Sequence, residues 1–142
     1  MRVALDAVTI NDTDTGSLPT QIQAQPSSTT LLQSAATADG NGTAASTDGY
    51  NGCQMIELQK SGTGTTTAVI EGSFDGTTWY AVGYYQVDAQ ATLTRSISPF
   101  SLAAGTQNHV LQVLDLYPQI RCRLASTSGA VSVQAKLYAI PV

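Results

Sequence analysis

The chain has 142 residues, a net charge of −4 and only 11% charged side chains, against about 25% in an ordinary soluble domain. That length suits one domain with a real core, and polarity drawn from Thr, Ser, Gln and Asn favours pleated strands over helices. No Lys or Arg stands between Arg2 and Lys60, a poor match to a phosphate backbone, so nucleic acid is not an expected partner.

Residues 1–50 carry one basic side chain, Arg2, against Asp6, Asp12, Asp14, Asp39 and Asp48. Their opening stretch has no apolar segment with a cleavage site, so it is not expected to be a secretory signal. No run anywhere approaches about 18 apolar residues, so no membrane-crossing helix and no membrane partner is expected. Large apolar residues are sparse here: Leu18, Ile22, Leu31, Leu32 and Tyr50. Such a segment cannot build its own core. The expectation is an extended arm over 1–50 with one or two short strands, one of them near 29–37, lying against its own domain or against neighbouring subunits. Asn41-Gly42 and Asp48-Gly49 mark turns.

From residue 51 the pattern sharpens into a domain spanning 51–142. Strands are predicted over 53–60, 65–71, 78–87, 91–98, 108–114, 119–125 and 131–139. Ser61-Gly62-Thr63-Gly64 and Asp75-Gly76 read as turns, the second a tight one, since both of its residues tolerate positive φ. The regular strand spacing predicts an all-β fold, a β-sandwich or jelly roll with an extended N-terminal arm. Val131, Val133, Ala135 and Leu137 alternate onto one face of the last strand. Trp79, Val69, Leu124 and Val133 are the expected core residues. Cys122 alternates with Ile120 and Leu124 as a small core side chain, so Cys122 and Cys53 are expected to be unpaired.

No catalytic set stands out. His109 is the one histidine, and no motif brings Asp88, Asp115 or a particular serine to it. Glu57, Glu71, Asp75, Asp88 and Asp115 are scattered, and no Cys/His spacing suits a metal. No enzyme activity, cofactor or metal is expected. Tyr80, Tyr84 and Tyr85 follow Trp79; strict alternation would put Tyr80 and Tyr84 on one face and Trp79 and Tyr85 on the other. Tyr80 and Tyr84 are candidate contact residues for a partner. So are Arg121 and Arg123, which flank Cys122 and can pair with acids on a neighbouring strand or chain, and Leu18, Ile22 and Leu31 of the arm.

The block Val69-Ile70-Glu71-Gly72-Ser73-Phe74-Asp75-Gly76-Thr77-Thr78-Trp79, with Tyr117-Pro118-Gln119-Ile120-Arg121-Cys122-Arg123-Leu124 and Gly129-Ala130-Val131-Ser132-Val133, resembles small β-sandwich structural proteins of tailed bacteriophages. The resemblance covers residues 65–139 in outline and includes head decoration (cement) proteins and tail-associated modules. It implies a virion structural protein, made in the bacterial cytoplasm and mounted on the outer surface of the capsid. Its partners would be the major capsid protein and other copies of itself, in a trimer by preference. The alternative it implies is a carbohydrate- or receptor-binding module of a tail or fibre, with the tyrosine row exposed.

Overall fold

The computed structural model describes residues 28–50, 52–88 and 92–141. Among these residues eleven strands follow in chain order: β1 (Ser28–Ala36), β2 (Ala45–Ser46), β3 (Cys53–Ser61), β4 (Thr65–Ser73), β5 (Tyr80–Ala81), β6 (Gly83–Gln86), β7 (Ser96–Ile97), β8 (Phe100–Leu102), β9 (Gln107–Val113), β10 (Gln119–Ser128) and β11 (Ser132–Ile140). They form two antiparallel sheets. One has the order β1-β11-β3-β9-β6-β7; the other runs β2-β10-β4-β5, with β8 also paired to β4. The all-β sandwich expected from the strand spacing is the observed fold.

Alternation decides which side chains meet between the sheets. Ile56 and Leu58 of β3, Ala68 and Ile70 of β4, Leu111 and Val113 of β9, Ile120, Cys122 and Leu124 of β10, and Val133, Ala135 and Leu137 of β11 form one core. Leu124 and Val133 stand in it as expected. Neither cysteine is paired, and burial pushes the Cys122 thiol up to about 12, so this thiol is inert packing.

The structure decides several sequence expectations. The strand expected near 29–37 is β1, which pairs with β11 along most of its length and sends Leu32 into the core, so this stretch lies against its own domain. The next residue, Gln33, is also buried, and its carboxamide donates to the carbonyls of Gly40 and Cys122 at 3.1 and 2.7 Å. Leu18 and Ile22 lie outside the described residues.

The single strand expected over 78–87 is two strands in different sheets. β5 pairs with β4, whereas β6 pairs with β9 and β7. The chain crosses at Val82, whose N–H donates to the Ile70 carbonyl at 3.1 Å. Gly83 follows, with its N–H on the Asp115 carboxylate at 2.7 Å and the Arg95 guanidinium packed where a Cβ would stand. Over 91–98 only Ser96–Ile97 is a strand.

Trp79 is outside the core. It lies half-buried because the β4–β5 pairing ends at Gly72↔Tyr80, which leaves Ser73–Trp79 as a wide loop rather than a tight turn. Val69 is buried but on the opposite face of β4 from Ala68 and Ile70, level with Arg123 of β10.

Ser98 completes the edge of β4 where neither β5 nor β8 reaches it. Its hydroxyl accepts from the Ile70 N–H at 3.1 Å and donates to the Ile70 carbonyl at 2.9 Å. Without the hydroxyl the Ile70 carbonyl would keep the Val82 N–H, but the buried Ile70 N–H would lose its partner, at a cost of about 1–3 kcal/mol. Ser98→Ala should therefore lower the unfolding free energy in urea by about that amount, while Ser101→Ala, on the exposed side of β8, should change it by less than about 0.5 kcal/mol. Equal effects of the two substitutions would refute this role for Ser98.

Candidate interaction site

The loop that follows β4 is fixed by two side chains. The Ser73 hydroxyl oxygen accepts from the N–H groups of Gly76 at 2.8 Å and Asp75 at 3.3 Å. Asp75 Oδ1 accepts from the N–H groups of Thr77 and Thr78, each at 2.9 Å. Those bonds, Thr78 first, pull the Asp75 carboxyl from its ordinary 3.8 down to about 2. Gly76 has φ +80°, the left-handed conformation that glycine adopts without strain.

Held this way, the loop presents aromatic rings at one end of the sandwich. Phe74 is 69% exposed and Tyr80 48%. The Phe74 and Tyr117 ring centroids are 4.9 Å apart, and Tyr80 stacks near-parallel to Tyr117 at 6.3 Å. The Tyr117 ring rests on Gly72, where a Cβ would come within 2.2 Å of it. Any larger residue at 72 would displace the ring. The adjacent Leu116 is 54% exposed. Beside it a cleft of about 190 Å³ runs between Thr47, Asp48, Gly49 and Pro118. The Thr47 hydroxyl donates to the Tyr117 carbonyl and ties the cleft wall to this segment.

On the outer face of the second sheet, the Glu71 carboxylate lies between two arginines, 2.8 Å from Arg121 Nε and 3.2 Å from an Arg123 guanidinium nitrogen. The Arg121 guanidinium sits 4.1 Å from the Trp79 ring centroid. Arg121 and Arg123 thus pair within the chain, on the neighbouring strand. Their alternation with Cys122 revealed the shared face but not the partner. The Arg123 guanidinium remains partly exposed.

Of the remaining candidates, Leu31 is exposed. Tyr84 is not a contact residue: it is 6% exposed and packs edge-on against Phe100. The crossing at Val82 breaks the alternation that would have kept it beside Tyr80. Phe74, Leu116 and Tyr117 were missed as site residues because they come from separate segments, and only the tertiary fold joins them to Tyr80. The Leu116-Tyr117-Pro118 run, two large apolar residues before a proline, was the available signal.

The acidic residues have structural duties. Asp88 accepts from the Val110 N–H at 2.9 Å and lies 3.1 Å from His109 Nδ1. Burial opposes ionisation of Asp88, but the bonds from Val110 and His109 outweigh it and hold the carboxyl below its ordinary value. His109 Nε2 faces Gln107 Oε1 at 2.9 Å, so that nitrogen meets an amide oxygen and not a nucleophile. Asp115 holds Gly83 and Arg95, and Glu57 accepts from the Tyr138 hydroxyl. The site is thus an exposed aromatic cluster on a hydrogen-bonded loop, with the Arg121–Glu71–Arg123 group on the outer face of the same sheet.

No protein-family model matches the chain, and no curated protein matches its sequence. Among solved structures the fold is similar to that of the SPBc2 prophage-derived protein YomS, with a TM-score of 0.53 and 13% identity over 85% of this chain and 100% of that one. At that identity the likeness is one of fold.

Two outcomes follow from this geometry. A depressed carboxyl stabilises its loop fully above pH 3.8, and that contribution fades as the pH falls through about 2; an NMR titration of the Asp75 side chain should have its midpoint near 2, and a midpoint at the ordinary value would contradict the bonding described. A double-mutant cycle on Trp79→Ala and Arg121→Ala should give a coupling of about 0.5–2 kcal/mol. Additive substitutions would show that ring and guanidinium do not interact.

Proposed function

We propose that this chain is a structural protein of a phage virion, and specifically a head decoration protein that binds across junctions between major capsid proteins and stabilises the shell without catalysing a reaction. The observation that carries an assembly role is the exposed cluster of Phe74, Tyr80, Leu116 and Tyr117 on a loop held rigid by Ser73 and Asp75. Aromatic rings held in one conformation lose little entropy on docking and are the common anchors of interfaces. The likeness to a prophage-derived protein supports a phage origin, as does the resemblance of residues 65–139 to phage sandwich proteins.

In this reading the protein binds the assembled lattice and not dissociated subunits, which stabilises the lattice by mass action. Copies of the chain sit together on the head as a homo-oligomer, a trimer by preference. With few charges available, attachment rests on apolar and backbone contacts and varies little with salt. A receptor-binding module of a tail or fibre is the second reading, favoured by the exposure of the Phe74 and Tyr80 rings.

Particles produced without the protein should assemble but release DNA at a lower temperature than complete particles. Adding back purified protein should restore resistance, whereas a Phe74→Ser/Tyr80→Ser variant with an unchanged circular dichroism spectrum should not. Particles that are equally robust without the protein but fail to adsorb to cells would overturn the decoration role in favour of the tail.

A further inference from the structure

The outer face of the six-stranded sheet carries a feature that the assembly role does not use. The register aligns Asn108 of β9 with Gln59 of β3, and Gln59 with Gln134 of β11. Successive strands lie about 4.8 Å apart, so these carboxamides form a row about 10 Å long. The row borders a cleft of about 310 Å³ lined also by Thr106, Gln107 and Ser132, a volume at the lower end of small-ligand sites. Ala35 forms part of the cleft wall. It has φ +51° and lies where the β1–β11 register shifts. Its short side chain keeps that wall low.

The lining is uncharged in effect. It contains no carboxylate, and the one cation, Lys60, is buried and turned to the carbonyls of Gly62 and Gly105 at 3.0 and 2.9 Å. The neighbouring rung differs: it is Val110, Glu57 and Lys136. Within the row only part of the bonding capacity is used. Gln134 donates to Gln59 Oε1 at 3.3 Å, and Gln59 donates to Glu57 at 3.4 Å. The Gln134 oxygen and the whole Asn108 carboxamide have no partner among the described residues.

Each carboxamide sets a donor beside an acceptor, and each hydroxyl of a sugar is both. A polyanion would need cations that the cleft does not present. We propose that the Asn108–Gln59–Gln134 row and its cleft bind a neutral glycan, through hydrogen bonds from the carboxamides to adjacent sugar hydroxyls. This surface lies on the opposite sheet from the Arg121–Glu71–Arg123 face, and it remains a binding site whether the protein rides on a head or a tail.

The test is affinity electrophoresis of the full chain through gels containing dextran, starch, mannan or galactan, with alginate as the anionic counterpart. At least one neutral polysaccharide should retard the protein. Two hydrogen bonds to uncharged groups are worth about tenfold in affinity, so Gln59→Ala/Gln134→Ala should weaken that retardation by about tenfold. The pair is partly or fully exposed, so the melting temperature checks that the variant stays folded. Titration with the retarding polysaccharide's oligosaccharide should shift the side-chain amide NMR signals of Gln59, Asn108 and Gln134. No retardation in any neutral gel, retardation by alginate alone, or retardation unaffected by the double substitution but lost in Phe74→Ser/Tyr80→Ser would each overturn the proposal.

Discussion

The structure depends on how the outer edge of β4 is completed around Ile70. β5 covers this edge at Glu71 and Gly72, and β8 covers it from Thr66 to Ala68. Between them the Val82 N–H and the Ser98 hydroxyl take the places of ladder partners. This arrangement lets the chain leave one sheet after Ala81 and enter the other at Gly83 without stranding a buried backbone group. Everything distinctive about the aromatic residues follows. Tyr80, before the crossing, remains at the open end beside Phe74 and Tyr117. Tyr84, two residues after it, falls into the core against Phe100.

Where a strand buries every second side chain, the sequence was legible. β3 and β11 alternate without interruption and β10 does so as far as Leu124, and their positions, the core roles of Leu124 and Val133, and the sandwich class could all be read from period-two patterning. Patterning failed where tertiary context decided. β1 was expected as a strand, but its polar composition left open whether its partner was its own domain or a neighbour, which Leu32 in the core decides. The 78–87 run is apolar enough for one strand, yet it is divided between two sheets by hydrogen bonds to Ile70 and Asp115. Trp79 read as core because of its size, but the loop geometry set by Ser73 and Asp75 places it over Arg121. Half of the interaction site was legible as Tyr80 and the arginine pair. The other half, Phe74, Leu116 and Tyr117, is assembled from two loops distant in sequence.

The ionised side chains are tied into the fold. Glu71, Asp75, Asp88 and Asp115 are each committed to a backbone N–H, a guanidinium or a histidine that holds a loop or a strand edge. Such groups rigidify the surfaces they support. The result is two surfaces of different character. One is the exposed aromatic end, proposed to meet a protein partner, and the other is the amide row on the opposite sheet, proposed to meet a hydroxyl-rich ligand. A decoration protein of this design would hold the shell with the first and leave the second open.

Reconstruction of the phage particle by cryo-electron microscopy tests the proposed role most directly. The sandwich should appear on the outside of the head, over junctions of the major capsid protein, with the end bearing Phe74, Tyr80, Leu116 and Tyr117 against the shell and the Gln59–Gln134 face open to solvent. Sandwich density confined to the tail, or density on the head with that aromatic end facing solvent, would contradict it.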